Sequence, residues 1–176
     1  MIAKALYSSK NDDWGTPQDL FDRLNSIYNF QLDAAAASHN AKCPRFFTPH
    51  DDALQKNWAQ YKRIWLNPPY GRSIGDWMKK AYDESQRGAL VVCLVHARTD
   101  TRWWHNWVEG KARVTFLKGR LKFTTGKDQH IAQSAPFPSV LVVYDPQLYT
   151  VVHPSCNAGA PRICPDTERH RLRPIP

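Results

Sequence analysis

The sequence contains no run of apolar residues long enough to cross a bilayer, and its N-terminus lacks the charged, apolar and small-residue succession of a secretory signal. A soluble, intracellular chain, cytoplasmic in a bacterial or host cell, is therefore expected. Cysteine is sparse. Cys43, Cys93, Cys156 and Cys164 are dispersed, no C-x-x-C pair occurs, and a cytosolic chain of 176 residues needs no disulfide, so free thiols are expected. His153, Cys156, Cys164 and His170 bring soft ligands into one stretch, but unpaired and set among Pro, Arg and Asn they make a poor zinc site, and no metal is expected. Internal repeats are absent too, as is any convincing Ser/His/Asp or Cys/His signature of nucleophilic catalysis.

Negative charge is also in short supply. Against 24 Lys and Arg stand 16 Asp and Glu, a net charge of +8. Such an excess favours an anionic partner, nucleic acid first, because phosphates release counterions when cationic side chains neutralise them. Part of the excess lies in the tail from His153 on, which has five prolines, four arginines and no apolar period. That tail, residues 153–176, reads as extended or disordered, and its charge is explained equally well as solvation. Residues 1–13 are polar and end in Asn11-Asp12-Asp13, which reads as a loose arm. One domain over residues 14–152 remains, enough for a single core and too little for two; a monomer is the favoured state.

Within that domain the pattern alternates between helix and strand. Thr16-Pro17, followed by Leu20, Phe21, Leu24 and Ile27, predicts a helix with Thr16 as N-cap and Pro17 at its first position. Phe30–Asp33 predicts a short strand that leaves Asp33 at its C-terminal mouth. Ser38–Asp52 holds turn formers and Phe46-Phe47, the composition of a structured loop with a short strand. Arg63–Leu66 is a second strand, and it runs into Asn67-Pro68-Pro69-Tyr70-Gly71, where the prolines forbid both ladder and helix. A helix over 74–86 with Ile74, Trp77, Met78, Ala81 and Tyr82 at helical spacing precedes a buried strand over 89–95. A Trp-rich helix over 99–107, strands at 114–117 and 121–123 around Lys118-Gly119-Arg120, and a strand over 139–144 complete the order. This succession predicts an α/β fold whose sheet is mostly parallel and finishes with an antiparallel C-terminal strand.

The chemistry concentrates at Asn67-Pro68-Pro69-Tyr70. The exocyclic amino group of adenine is a poor nucleophile because its lone pair is delocalised into the ring. Alkylating it requires acceptors for the two amino hydrogens while the nitrogen meets an electrophilic methyl. The Asn67 side-chain carbonyl and the Pro68 backbone carbonyl, next to a Pro69 that has no N–H, supply such acceptors. Tyr70 is placed to stack on a base taken out of its helix. A strand-terminating turn would have the same composition; the position of the tetrapeptide, after an apolar strand at the carboxyl edge of an α/β sheet, favours the catalytic reading.

The ordered set Trp14-Gly15-Thr16-Pro17-x-x-Leu20-Phe21, Leu32-Asp33-x-Ala35, Asn40-Ala41-Lys42-Cys43, Phe47-Thr48, Asp52-Ala53-Leu54 with Trp58, Trp65-Leu66-Asn67-Pro68-Pro69-Tyr70-Gly71 and Trp77-x-x-Lys80-Ala81 resembles the small phage-type DNA N-6-adenine methyltransferases. The likeness continues through Ala97–His105, Leu117–Phe123 and Ala135–Ser139, and so covers about residues 14 to 145. It implies a Rossmann-like methyltransferase sheet and, with S-adenosylmethionine as cofactor, methylation of adenine N6 in DNA by a phage or prophage enzyme of modification type. Carried over, Trp14, Thr16, Pro17, Asp33, Ala35, Asp52 and Asn67 would bind the cofactor, with Thr16-Pro17 at its methionine end and Asp33 near its amino group. The chain departs from many methyltransferases in carrying Ala34-Ala35-Ala36 where they have a glycine-rich turn, and Ala53 where a glycine is expected after Asp52. Arg98, Asp100, Lys118, Arg120 and Lys122, interleaved with Trp103, Trp104 and Phe123, are the candidates for DNA contact. RNA bases, protein glutamine and a catalytically silent DNA-binding role are the competing substrates and functions for the same motif, and a partner held through the basic tail is a further one.

Overall fold

The computed structural model of the chain describes residues 14–125, 130, 131 and 134–147. The arm expected over 1–13 and the tail expected over 153–176, with Cys156 and Cys164, lie outside the described residues. In chain order the elements are α1 (Gln18–Tyr28), β1 (Leu32–Asp33), β2 (Arg63–Leu66), α2 (Ile74–Gln86), β3 (Leu90–His96), α3 (Arg102–Trp107), β4 (Arg113–Phe116), β5 (Thr124–Thr125), β6 (His130–Ile131) and β7 (Ser139–Tyr144). Short 3-10 turns at Pro49–Asp51, Ala53–Gln55 and Ala59–Tyr61 fill the long passage between β1 and β2.

Five strands form one sheet in the order β1-β2-β3-β7-β4. β1, β2 and β3 run parallel, while β7 is antiparallel to both β3 and β4. Four of the five strands therefore point the same way, and the C-terminal strand alone is reversed, as the order of helices and strands predicts. The central strands are apolar on both faces because both faces are covered: β7 is buried throughout and β3 everywhere but at its two ends.

The register shows which helix covers which face. Trp65 pairs with Val92 and Val92 with Val143, so these side chains share one face; Ile64, Val91 and Tyr144 share the other. Phe21 of α1 lies edge-on against Trp65, with ring centroids 5.7 Å apart. On the opposite face Tyr82 of α2 meets Tyr144 at 6.2 Å and Trp107 of α3 at 5.9 Å. The result is a three-layer α/β sandwich.

Some local expectations are corrected. α1 begins at Gln18 with Pro17 as its N-cap, and Thr16 makes no side-chain cap, because the hydroxyl-bearing residue is instead buried one step earlier. Ile27 is not on the buried stripe; it is 62% exposed, since α1 turns toward its left-handed C-cap at Asn29. Residues 121–123 do not form a strand: the Leu121 carbonyl accepts from Ala135 N at 2.9 Å, Phe123 is buried among aromatic rings, and pairing starts only at Thr124. The loop over 38–52 behaves as expected, since Phe46 makes a single parallel bridge to Asp33 that covers the β1 edge.

Glu84 fastens α2 to that loop region. It is fully buried, accepts from the backbone N–H groups of Trp58 and Ala59 at 2.9 and 2.8 Å, and meets Lys80 Nζ at 2.6 Å and Arg87 at 3.0 Å. Every lone pair of this carboxylate has work, and its removal strands two buried donors and a largely buried ammonium. Glu84→Ala is expected to lower the unfolding free energy by about 3–5 kcal/mol, the usual cost of breaking a buried pair. Urea denaturation checks this, and a loss under about 1 kcal/mol would show that the pair is dispensable.

Candidate active site

Because β1 to β4 are parallel and β7 is reversed, one edge of the sheet collects the carboxyl ends of four strands and the start of the fifth. Asp33 ends β1, Asn67 follows β2, His96 ends β3, Lys118 to Lys122 follow β4, and Phe137 precedes β7. Ligands of open α/β sheets bind at such an edge. A cavity of about 680 Å³ opens there, lined among others by Trp14, Thr16, Asp33, Ala35, Asp52 and Asn67. Its volume suits a molecule of nucleoside size or larger.

Asn67 is the best-defined group in the wall. Its Nδ2 donates to the backbone carbonyl of Trp14. A carbonyl only accepts, so the amide must present its NH2 to Trp14 and its oxygen the other way. That oxygen, Oδ1, is buried and has no hydrogen-bond partner among the described residues. A buried acceptor left so costs about 1–3 kcal/mol, and it points to a donor that arrives with a ligand. Trp14 is itself anchored: Gly15 exchanges backbone bonds of 2.8 and 2.9 Å with Thr124, and the indole lies edge-on to Phe123 and Phe137 at 5.4 and 5.9 Å. Next in the wall come Pro68 and Pro69, which keep the Pro68 carbonyl free of a neighbouring N–H.

Tyr70 is placed differently from expectation. Its hydroxyl donates to the Leu94 carbonyl at 3.2 Å, and its ring meets His96, Phe137 and Phe123 at 5.2, 5.4 and 6.1 Å. It is buried, does not line the cavity, and its phenol is pushed well above the ordinary range by that burial. In this conformation Tyr70 supports the loop from behind and presents no open face for a base. His96 beside it is lowered to about 4, mainly by burial and also by the Arg98 charge, so it stays neutral near pH 7.

Asp33 is 3% exposed. Lys42 N donates to its Oδ2 at 3.0 Å and Ala35 N to its Oδ1 at 3.4 Å. Burial raises its pKa to about 7, against the lowering effect of those two N–H groups and the Lys42 charge. The alanine turn after it needs no glycine, because none of Ala34, Ala35 and Ala36 has a positive φ; Ala36 N and Ala37 N donate to Phe47 O at 2.9 Å and Asn40 Oδ1 at 2.7 Å. Asp52 is exposed, has left-handed backbone (φ 49°) and caps nothing with its side chain; Asp51 does the capping, reciprocally with Thr48. Its carboxylate is thus available to the cavity it lines.

Of the residues expected to bind a cofactor, Pro17 alone does not line the cavity; its carbonyl is engaged in starting α1, accepting from Phe21 N at 3.1 Å. The sequence reading did not single out Lys42, Phe47 or Trp77 for the cavity, although all three line it. Their motifs were visible, but a loop residue's direction is not encoded in its spacing. The expected DNA contacts lie off the cavity. Arg98 pairs with Asp100 at 3.5 Å, and Lys118, Arg120 and Lys122 are exposed along the chain leaving β4.

Comparison with known proteins bears on what this edge does. The profile of the family described as DNA N-6-adenine-methyltransferase (Dam) matches residues 4–157. A DNA N-6-adenine-methyltransferase of Escherichia phage T1 is 30% identical over 111 residues, covering 62% of this chain and 46% of its own length. The chain thus spans just under half of that relative. A DNA N-6-adenine-methyltransferase of Haemophilus phage HP1 is 26% identical over 142 residues, covering 79% of this chain and 82% of its own. Among solved structures, precorrin-6y C5,15-methyltransferase from Geobacter metallireducens superposes with a TM-score of 0.42 at 11% identity over 80% of this chain and 98% of its own, too loose to bear on fold or function.

The raised Asp33 carboxyl makes a pH prediction. Between about pH 4 and 7 the folded chain keeps a proton that the unfolded chain has released, so this group's contribution to stability falls as pH rises through that window. Asp33→Asn is expected to remove that part of the slope, gaining on the wild type from about pH 4 to about pH 7 and holding a constant margin above it, in thermal or urea unfolding of the ligand-free protein. Parallel pH profiles for the two proteins would contradict a buried, proton-holding Asp33.

Proposed function

The chain belongs to the DNA N-6-adenine-methyltransferase (Dam) family, and from that footing we propose that it transfers a methyl group from S-adenosylmethionine to the N6 amino group of adenine in DNA. The observation that supports the reading is the buried Oδ1 of Asn67, without a hydrogen-bond partner among the described residues and turned away from the Trp14 carbonyl at the mouth of β2. It is an acceptor in want of a donor, at the place where an amino group must be received.

The residues around the cavity fit the cofactor. Asp33 and Asp52 offer carboxylates to an ammonium and to ribose hydroxyls, and Phe47, Leu54 and Trp77 offer apolar surface to a purine. When bound, the cofactor supplies a methyl carbon made electrophilic by its sulfonium. Asn67 Oδ1 and the Pro68 carbonyl accept the two amino hydrogens, which draws the nitrogen lone pair out of conjugation with the ring. The methyl would be the group received by the nitrogen, with the thioether of the cofactor as leaving group, and the proton the nitrogen gives up would leave along Asn67 Oδ1 and the Pro68 carbonyl to water. No chain nucleophile is needed. Pro68 and Pro69, which have no N–H, keep competing donors out of the site, and neutral His96 adds no positive charge behind the loop.

A duplex hides this amino group, so the base has to leave its stack. Lys118, Arg120 and Lys122, and Arg98 with its Asp100 partner, lie along the same sheet edge and supply the phosphate contacts in this reading. Family membership and the basic charge favour DNA over RNA or protein glutamine.

Two substitutions at one position test the acceptor role. Asn67→Ala is expected to reduce kcat by about 10²–10³ or more while the Kd for S-adenosylmethionine changes only a few-fold, since the lost interaction belongs to the transition state. Asn67→Asp keeps an acceptor but sets an oxygen against the Trp14 carbonyl, so it should fail to restore the rate. Steady-state kinetics with equilibrium binding of the cofactor decide; an Asn67→Ala protein with near-normal kcat would overturn the assignment.

A further inference from the structure

Among the described residues lining the cavity, Lys42 is the only Lys or Arg. It is tied to the buried acid of the same wall, for its backbone N–H donates to Asp33 Oδ2 at 3.0 Å. Its ammonium is held in an exposed relay with α1. Lys42 Nζ donates to Gln18 Oε1 at 2.8 Å, and Gln18 Nε2 donates to Asp22 Oδ1 at 2.7 Å, which fixes which end of the Gln18 amide faces the ammonium. An ammonium has three donors, and this bond to a neutral oxygen occupies one. Burial lowers the Lys42 pKa, with Asp33 as the largest opposing influence, so an arriving anion would stabilise the charged form.

One acid and one amine joined through a single backbone contact make a receptor for a small zwitterion. In its ionised form, which an arriving ammonium favours, Asp33 only accepts, and Lys42 Nζ only donates. The α-amino acid end of S-adenosylmethionine carries an ammonium and a carboxylate on the same carbon, matching the two in kind. Resting on the cofactor reading above, we infer that Lys42, braced by Gln18, binds the carboxylate of the cofactor's amino-acid end while Asp33 takes its ammonium. Lys42 is then a cofactor-binding residue, and it selects for ligands that keep the carboxylate.

Decarboxylated S-adenosylmethionine, which retains the sulfonium, the nucleoside and the amine, isolates this contact. Calorimetric titration of the full chain with both ligands is expected to show wild type preferring S-adenosylmethionine by about tenfold or more. Lys42→Met should bind the two alike, and its affinity for the decarboxylated ligand should stay within about twofold of wild type, as expected when only the removed contact changes. Lys42→Gln, which keeps a donor for Gln18, should lose the preference too and serves if the Met variant melts early. Lys42→Arg should retain most of it. A Lys42→Met or Lys42→Gln protein that keeps the wild-type preference, or a wild type that binds both ligands equally, overturns this inference and leaves the cofactor reading standing. A wild type that binds neither ligand overturns both.

Discussion

The hydrogen bond from Asn67 to the Trp14 carbonyl is the contact on which the site depends. It joins the segment that leads into α1 to the loop that leaves β2, two stretches 53 residues apart in sequence. It also decides the orientation of an amide whose two ends are nearly alike in shape and opposite in hydrogen bonding. Without a fixed acceptor at Trp14 the Asn67 side chain could present either end. With it, the oxygen is held in place before any ligand arrives, and this preorganisation is what makes an acceptor effective in a transition state. The rest of the neighbourhood maintains that one contact: the Gly15–Thr124 bridge sets the height of Trp14, and the Phe123 and Phe137 rings hold its indole.

The sheet explains why so few residues suffice. Four parallel strands bring their carboxyl ends to one edge, and the reversed β7 adds its N-terminal approach there, so acid, amide, imidazole and basic loop all meet without a long insertion. Among the described residues of the wall, apolar and neutral polar side chains surround three charged ones, Asp33, Asp52 and Lys42. In such surroundings a single carboxylate shifts toward holding its proton, and a cationic ligand reverses that shift. Tyr70 and His96 lie behind this wall rather than in it, as an aromatic and neutral backing for the Asn67 loop.

Strand positions could be read from sequence because their signals were local. The run Ser139–Tyr144 is apolar without interruption, and Arg63–Leu66 is stopped by two prolines, so their limits follow from composition alone. Asp33 and Asn67 could be placed at strand ends for the same reason. What the sequence concealed was direction. Tyr70 closes the Asn67-Pro68-Pro69 loop, yet its hydroxyl finds Leu94 on the neighbouring strand, a pairing that no spacing rule anticipates. Residues 121–123 alternate like a strand, but Phe123 has an aromatic cluster to enter and the ladder is given up for it. Lys42 lay inside a recognisable motif, and only the folded loop shows that its N–H serves Asp33 and that the residue lines the cavity.

The most direct test of the account is the identity of the methylated atom. Unmethylated duplex DNA is incubated with the protein and S-adenosylmethionine labelled in its methyl group, then digested to nucleosides and separated. Label in N6-methyladenine is the predicted result, since the orphaned acceptor is suited to an exocyclic amine and the family acts on adenine. Label in a methylated cytosine, or none in DNA while the protein demonstrably binds the cofactor, would contradict it.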